Sequence, residues 1–155
     1  MNPQTPFSAV NLPDFAATVR QQIPLLDAMN VDFIDYNGST LSLGMPLAPN
    51  INDKQTGFGG SLAALATACG WAMVSLVLKD ASLEADVVVV KSDMRFLAPV
   101  TTDCLARVEW PSVEKKQFLQ QLSMKGRART ELVLDIVMGE EPVANCRAIY
   151  LARLK

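Results

Sequence analysis

The middle of the chain is its most hydrophobic part. Residues 58–78 contain no charged side chain and lie between Lys54 and Lys79, a length that could cross a bilayer. Small and hydroxyl residues interrupt the run, at Gly59, Gly60, Ser61, Thr67, Gly70 and Ser75. Alternating apolar and polar segments follow it, so a buried core helix over about 60–79 is favoured over a membrane span.

The segments before this helix predict a helix and a hairpin. Residues 12–29 carry apolar positions at helical spacing, which predicts an N-terminal helix that Pro24 kinks or splits. The stretches VDFIDY and LSLGMPL flank Asn37 and Gly38 and predict a β-hairpin. Because proline cannot donate to a sheet, Pro46 indicates that the second strand ends there or lies at an edge.

The second half of the chain predicts four strands and one short helix. Strands are expected at 86–99 and 103–110, and a helix at 112–125 with Ser112 as its N-cap and Gly126 after its end. Two long strands, at 128–138 and 144–154, are joined by a turn at 139–142. No βαβ alternation occurs, so we predict a single α+β domain over 1–155, with one antiparallel sheet curled around the 60–79 helix.

Composition narrows the function classes. The 155 residues are 50% hydrophobic and 19% charged with a net charge of −2, which disfavours both disorder and nonspecific nucleic-acid binding. The N-terminal sequence MNPQTPFSAV lacks the basic and apolar segments of a secretory signal. We therefore expect a cytoplasmic protein with no membrane segment.

The chain has no histidine, so its chemistry must proceed without the usual general base at neutral pH. Its three cysteines, Cys69, Cys104 and Cys146, are widely spaced and show no CxxC pattern. They predict neither a disulfide framework nor a metal site. Cys69 is expected to be an inert core residue.

The junction between a polar loop and the apolar helix resembles a known motif. Hot-dog fold acyl-thioester enzymes carry an Asn and, six residues later, His-Gly-Gly at the start of their central helix. Asn52 and Gly59-Gly60 match that pattern, Phe58 stands at the His position, and Thr67 stands where those thioesterases carry Asp or Glu.

The longer string from Ala48 to Thr67 is similar to a narrower branch of these enzymes, long labelled as thioesterases and also found fused behind an acetyltransferase-like domain. Members of that branch act as malonyl-acyl carrier protein (ACP) decarboxylases. The resemblance implies a hot-dog fold and a homodimer in which Asn52 of one chain meets Thr67 of the other. It also implies a substrate carried on the phosphopantetheine of ACP or coenzyme A, with no other cofactor and no metal.

The residue types at the junction can be weighed as chemistry. A helix N-terminus with glycines lets a thioester carbonyl approach unpaired N–H groups, as in an oxyanion hole. Thr67 lies about 10 Å further along the axis, beside small residues that leave room for a short acyl group. The expected catalytic residues are Asn52, Gly60 and Thr67, and the expected substrate-binding residues are Phe58, Gly59, Ser61, Ala64 and Arg95.

Thioester hydrolysis needs a base or nucleophile, whereas decarboxylation of a malonyl thioester needs only positioning and hydrogen-bond donors. Malonyl-ACP decarboxylation is therefore the first expectation. Hydrolysis of an acyl-CoA or acyl-ACP, using Asp53 or a water held by Thr67, is the alternative, and a noncatalytic acyl-thioester binding module is the second alternative. Hydratase chemistry is disfavoured, because the related enzymes use a His.

Simpler roles for the same residues stay open. Asn52 could cap a turn, and Asn50 could be the functional amide in its place. Thr67 could bond back to the carbonyl of Ala63. Gly59 and Gly60 could serve only close packing.

A basic segment offers a docking surface. Residues 115–129 contain no acid and carry a local charge of +5 from Lys115, Lys116, Lys125, Arg127 and Arg129. Such a patch could dock the acidic surface of ACP or the phosphates of coenzyme A, or could be a solvated helix face. The preference between ACP and coenzyme A, and the acyl-chain length, stay open.

Overall fold

A computed structural model describes residues 10–155, so the expectation about a secretory signal falls mostly outside the described residues. The elements are, in chain order, α1 (Leu12–Gln22), α2 (Pro24–Ala28), β1 (Asp32–Tyr36), β2 (Thr40–Met45), a 3-10 turn (Ala48–Asn50), α3 (Gly59–Asp80), β3 (Ala85–Phe96), β4 (Cys104–Glu109), α4 (Ser112–Lys125), β5 (Arg127–Met138) and β6 (Glu141–Leu154).

The strands form one six-stranded sheet in the order β1-β2-β4-β5-β6-β3, and each neighbouring pair is antiparallel. Helix α3 packs against five of these strands, β2 to β6. Its buried side chains include Leu65, Cys69 and Met73, each fully shielded from solvent. The predicted α+β arrangement, a sheet wrapped around one apolar helix, is confirmed.

Helix α3 is long and apolar enough to cross a membrane by length and composition. However, 61% of its apolar segment is buried inside the fold. Burial against five strands explains the apolar composition, as expected of a core helix.

One local prediction is confirmed and two need correction. The N-terminal helix is split at Pro24, as predicted, because Ile23 leaves helical geometry ahead of the proline. The N-cap of α4 is Pro111 instead of Ser112, since the fixed φ of proline suits the residue that precedes the first turn. The turn after β5 is shorter than 139–142, because Pro142 already pairs with Val137 in the sheet.

Strand β3 is an edge of the sheet and is unusually exposed. Val88, Val89 and Val90 are each between 43% and 53% exposed. A β-bulge between Val89 and Lys91 shifts the register against β6. Strand β2, by contrast, ends before Pro46 and lies between β1 and β4, so its proline marks a strand end and not an edge.

Candidate functional site

The loop before α3 is held firmly in place. Ile51 and Gly57 form an isolated antiparallel bridge. The N–H of Gly57 donates to the carbonyl of Val100 at 2.7 Å, and the N–H of Phe58 donates to the carbonyl of Asn50 at 2.7 Å. A Cβ at Gly57 would lie 2.8 Å from the Cβ of Val100, so only glycine permits this close approach.

Asn52 organises the tip of this loop. Its Oδ1 accepts from the N–H of Lys54 at 2.8 Å and from that of Thr56 at 3.1 Å, and its Nδ2 donates to Oγ1 of Thr56 at 2.9 Å. Asn52 therefore caps a turn, the simpler of its two expected roles. One of its two amide hydrogens stays free of these bonds.

Asn50 is buried and donates both amide hydrogens to backbone carbonyls, those of Met29 and Pro46, at 2.9 Å each. Its Oδ1 has no hydrogen-bond partner among residues 10–155. With both hydrogens used inside the fold, Asn50 cannot serve as an amide donor to a ligand.

The N-terminus of α3 is open. Phe58 is the N-cap, and no side chain caps the helix, so the N–H groups of Gly59, Gly60 and Ser61 point away from the helix without intrahelical acceptors. The ring of Phe58, 54% exposed, lies over Gly60, where a Cβ would come within 2.5 Å of Cε1. A cavity of about 410 Å³ adjoins this mouth and is lined by residues 96–100, Thr56, Gly57, Gly59 and Leu62.

Thr67 lies at a contact between α3 and the sheet. Its Oγ1 is 3.4 Å from Oγ of Ser92 on β3, and that Ser92 oxygen is 3.3 Å from Sγ of Cys146 on β6. Burial raises the pKa of the Cys146 thiol, although the hydrogen bond from Ser92 acts in the opposite direction. The Thr67 hydroxyl thus faces Ser92 instead of turning back to the carbonyl of Ala63.

Thr67 also lines an apolar groove of about 550 Å³. Its walls are the α3 residues Ala63, Ala64, Thr67, Ala68 and Trp71, the α2 region at Ile23, Leu25 and Leu26, and the β3 residues Val87, Val88 and Val89. Trp71 is fixed at one wall, because its indole N–H donates to the carbonyl of Val87 at 3.1 Å. The stripe of small residues predicted beside Thr67 therefore opens onto a real groove.

Two expected residues lie elsewhere. Asp53 sits on the exposed loop tip and pairs with Lys54 at 3.3 Å, as a solvated charge. Arg95 is exposed on β3 between Met94 and Phe96, and it shares a register row with Asn145 on the outer face of the sheet. Within one chain, neither side chain reaches Thr67.

Cys69 is fully buried, and burial strongly raises the pKa of its thiol. A protonated, inaccessible thiol is not a nucleophile, which agrees with its expected packing role. Ser92, however, was missed by the sequence reasoning. The sequence did contain an indication, because Ser92 lies two and four residues before Met94 and Phe96 and so shares their side of the strand, which faces inward.

The basic segment spans α4 and the start of β5. Lys115 donates from Nζ to the carbonyl of Gly38 at 2.7 Å, so it tethers the β1–β2 hairpin. Lys116, Lys125, Arg127 and Arg129 are exposed. Arg153 on β6 stands directly opposite Arg127 in the ladder and extends the same positive surface.

The chain is similar in sequence to a described protein family. The family described as "Putative thioesterase (yiiD_Cterm)" matches residues 12–153. The chain belongs to this family. It is therefore a hot-dog protein of an acyl-thioester family. The thioesterase-like family indicates an enzyme that acts on thioesters.

Solved structures agree with the yiiD_Cterm assignment. A protein of unknown function from Chlorobaculum tepidum is 31% identical, with a TM-score of 0.86 over 92% of this chain and 94% of that one. A "putative thioesterase" from Shewanella oneidensis is 28% identical, with a TM-score of 0.84 over 93% and 97%. A thioesterase from Haemophilus influenzae, 15% identical with a TM-score of 0.72 over 94% and 92%, shows the same hot-dog fold.

Proposed function

We propose that this yiiD_Cterm protein decarboxylates malonyl-ACP to acetyl-ACP in the cytoplasm, which supplies a primer for the initiation of fatty acid synthesis. One observation carries the proposal. The groove beside Thr67 is lined by apolar residues and the Thr67 hydroxyl, with no carboxylate or ammonium group among its lining residues. The whole chain lacks histidine, so the usual means of activating water is missing where the thioester would lie.

Decarboxylation suits this inventory of groups. The bond between the carboxylate carbon and the α-carbon breaks, its electron pair becomes the enolate of the acetyl thioester, and carbon dioxide leaves. The α-carbon then takes a proton from water or from the Thr67 hydroxyl. The open N–H groups at Gly59 and Gly60 are suited to stabilise the enolate oxygen, and the rest of the work is orientation.

The apolar groove adds a driving force. A carboxylate surrounded by Ala63, Ala64 and Ala68 loses hydration, whereas neutral carbon dioxide loses little. The charged ground state is thus disfavoured relative to the departing product. Phe58, in the position where related thioesterases carry a histidine, adds apolar cover above Gly60 without offering a base.

The reaction is proposed to occur in a homodimer. The edge strand β3 exposes unpaired backbone and three consecutive valines, a surface that a second copy can extend. Asn52 and Thr67 make no contact within one chain, and the dimer would bring Asn52 of one copy to the groove of the other. The free amide hydrogen of Asn52 then becomes a donor to the substrate.

The acyl group is proposed to arrive on the phosphopantetheine arm of ACP, and no further cofactor or metal is required. The exposed charges Lys116, Lys125, Arg127 and Arg129 complement the acidic surface of a carrier protein. Lys115 contributes charge but is anchored to the hairpin. Coenzyme A carries the same phosphopantetheine arm. Comparing malonyl-CoA with malonyl-ACP therefore measures how much the carrier protein contributes to substrate binding.

The direct test is product identification by mass spectrometry after incubation with malonyl-ACP and, separately, malonyl-CoA in deuterium oxide. Acetyl thioester with deuterium on its methyl group, and no free malonate, is the expected result. Thr67→Val replaces the hydroxyl with a methyl group of similar size and should abolish most of the product. Thr18→Val, the same change at an exposed position on α1, is the matched control and should leave the rate unchanged.

Hydrolysis of acyl-ACP or acyl-CoA is the second candidate. A groove of about 550 Å³ is larger than a malonyl group needs, and the family description favours thioesterase chemistry. Free thiol and free acid from longer acyl thioesters would establish it in place of decarboxylation. No turnover of any thioester, with binding unchanged in Thr67→Val, would instead identify a noncatalytic binding module.

A further inference from the structure

Tyr150 reaches from β6 into the middle of α3. Its side chain is fully buried, and its hydroxyl donates to the backbone carbonyl of Thr67 at 2.8 Å. A buried tyrosine normally pairs its hydroxyl, but here the acceptor is the backbone of the residue at the centre of the candidate site. The contact therefore links the sheet directly to Thr67.

The Tyr150 hydroxyl lies deep in the core. Burial, followed by the Cys146 and Cys69 thiols, raises the pKa of Tyr150, so the phenol stays protonated and can donate to the Thr67 carbonyl. The Thr67 carbonyl and the Trp71 N–H are four residues apart, the pair that bond each other in a regular helix. The Tyr150 hydroxyl thus adds a donor from the sheet to a carbonyl within α3.

Gly70 makes this approach possible. A Cβ at Gly70 would overlap the hydroxyl of Tyr150, and it would lie 2.5 Å from Cζ of the same ring. Glycine inside a helix is destabilising relative to alanine. The absence of a side chain at Gly70 has a local reason, since it lets the phenol contact the helix backbone.

Thr67 is consequently held at two of its atoms by two strands. Its carbonyl accepts from Tyr150 on β6, and its Oγ1 contacts Ser92 on β3. The backbone anchor sets where the Cα–Cβ bond points, and the hydroxyl contact sets its rotation. A shift of about 1 Å in a reacting group can cost 100-fold in rate, so the anchor bears on chemistry.

We propose that Tyr150 is a positioning residue, whose hydrogen bond to the Thr67 carbonyl fixes the Thr67 side chain in the acyl groove. This inference rests on the proposed function for its kinetic consequence. Without the hydroxyl, the Thr67 carbonyl loses its bond to β6, and the turn that carries Thr67 can move relative to β3.

Tyr150→Phe tests the proposal, because it removes one oxygen and keeps the ring. The expected result is a fall in kcat of about 10- to 100-fold with KM within about twofold, because substrate contacts outside Thr67 are intact. Tyr36→Phe is the matched control. It removes the other tyrosine hydroxyl of the chain, which donates to Asp80 at 2.7 Å, and kcat should stay within twofold of wild type.

Nuclear magnetic resonance supplies a readout that is independent of turnover. The amide of Trp71 and the methyl group of Thr67 should shift in Tyr150→Phe and not in Tyr36→Phe. In the wild type, the Tyr150 hydroxyl proton should exchange slowly and show proximity to Thr67, a measurement that needs no variant to fold.

The outcomes separate the two hypotheses. A wild type that turns over no thioester defeats the proposed function, and the resonances then decide alone whether Tyr150 places Thr67. An active wild type with an unaltered Tyr150→Phe kcat overturns the positioning role. An equal loss of kcat in Tyr150→Phe and Tyr36→Phe also overturns it, because the effect would then be general destabilisation.

Discussion

The hydroxyls of Thr67 and Ser92 lie 3.4 Å apart on facing elements, Thr67 on the central helix and Ser92 on the edge strand. Either oxygen can be the donor. Ser92 also contacts the buried Cys146 thiol, so a short series of weak donors leads from the groove into the core. The candidate site therefore depends on a strand residue that lies outside the loop and helix motif.

Ser92→Ala should slow the proposed reaction moderately. Losing one neutral hydrogen bond of about 1 kcal/mol to the Thr67 hydroxyl corresponds to roughly a fivefold fall in kcat. Steady-state kinetics with malonyl-ACP measures it. Ser75→Ala, on the helix that carries Thr67 but outside the acyl groove, is the control. Equal rates for the wild type and both variants would remove Ser92 from the site.

Asn52→Ala should destabilise the fold as well as the proposed site. It removes three hydrogen bonds within the loop, and we expect a loss of about 1–2 kcal/mol in the free energy of unfolding measured by urea. Thr56→Val removes only the side-chain bond and should cost less. Activity lost in Asn52→Ala but kept in Thr56→Val would assign the free amide hydrogen to the substrate; activity lost equally in both would leave Asn52 a loop residue.

Val89→Lys should prevent dimerisation through β3. Val89 is 43% exposed on the edge strand, and burying a charge there against a second copy would be costly. Light scattering coupled to size exclusion should give a dimer for wild type and a monomer for the variant. Val113→Lys, at a 64% exposed valine of α4, should remain a dimer, and a dimeric Val89→Lys would move the interface elsewhere.

Cys104 should make stability fall at alkaline pH. Burial, and secondarily the Asp103 carboxylate, raises the pKa of the Cys104 thiol from 9.0 to about 11. The unfolded chain loses this proton first, so the free energy of unfolding should decrease as pH rises from about 9 to about 11. Urea titrations across that range should show a shallower decrease for Cys104→Ala, and identical slopes would contradict the shift.

The sequence predicted the fold well because its periodicities are strong. The uncharged run predicted the buried helix α3, and the alternation in β5 and β6 predicted strands with one apolar face. Together they favoured a sheet wrapped around that helix. The split at Pro24 was predicted. The errors arose at two other prolines: Pro111, which displaced Ser112 as the cap, and Pro142, which joined a strand.

The site was predicted in part. Gly59, Gly60, Ala64 and Thr67 could be placed, because a helix carries its spacing in the sequence. The two anchors of Thr67, however, come from strands 25 and 83 residues away, and no local pattern encodes such distances. The alternation along the strand already set Arg95 opposite Met94 and Phe96, and its role as a substrate-binding residue stays a prediction.

The hydroxyl pair of Thr67 and Ser92 gains or loses no charge between mildly acidic and neutral conditions. The rate of a reaction at this pair would not depend on the protonation of a catalytic side chain over the pH range in which a histidine-dependent enzyme loses half its rate. Any fall in rate at acidic pH would come from protonation of the substrate carboxylate. Because it has no titrating side chain, the hydroxyl pair would keep the same charge across this pH range.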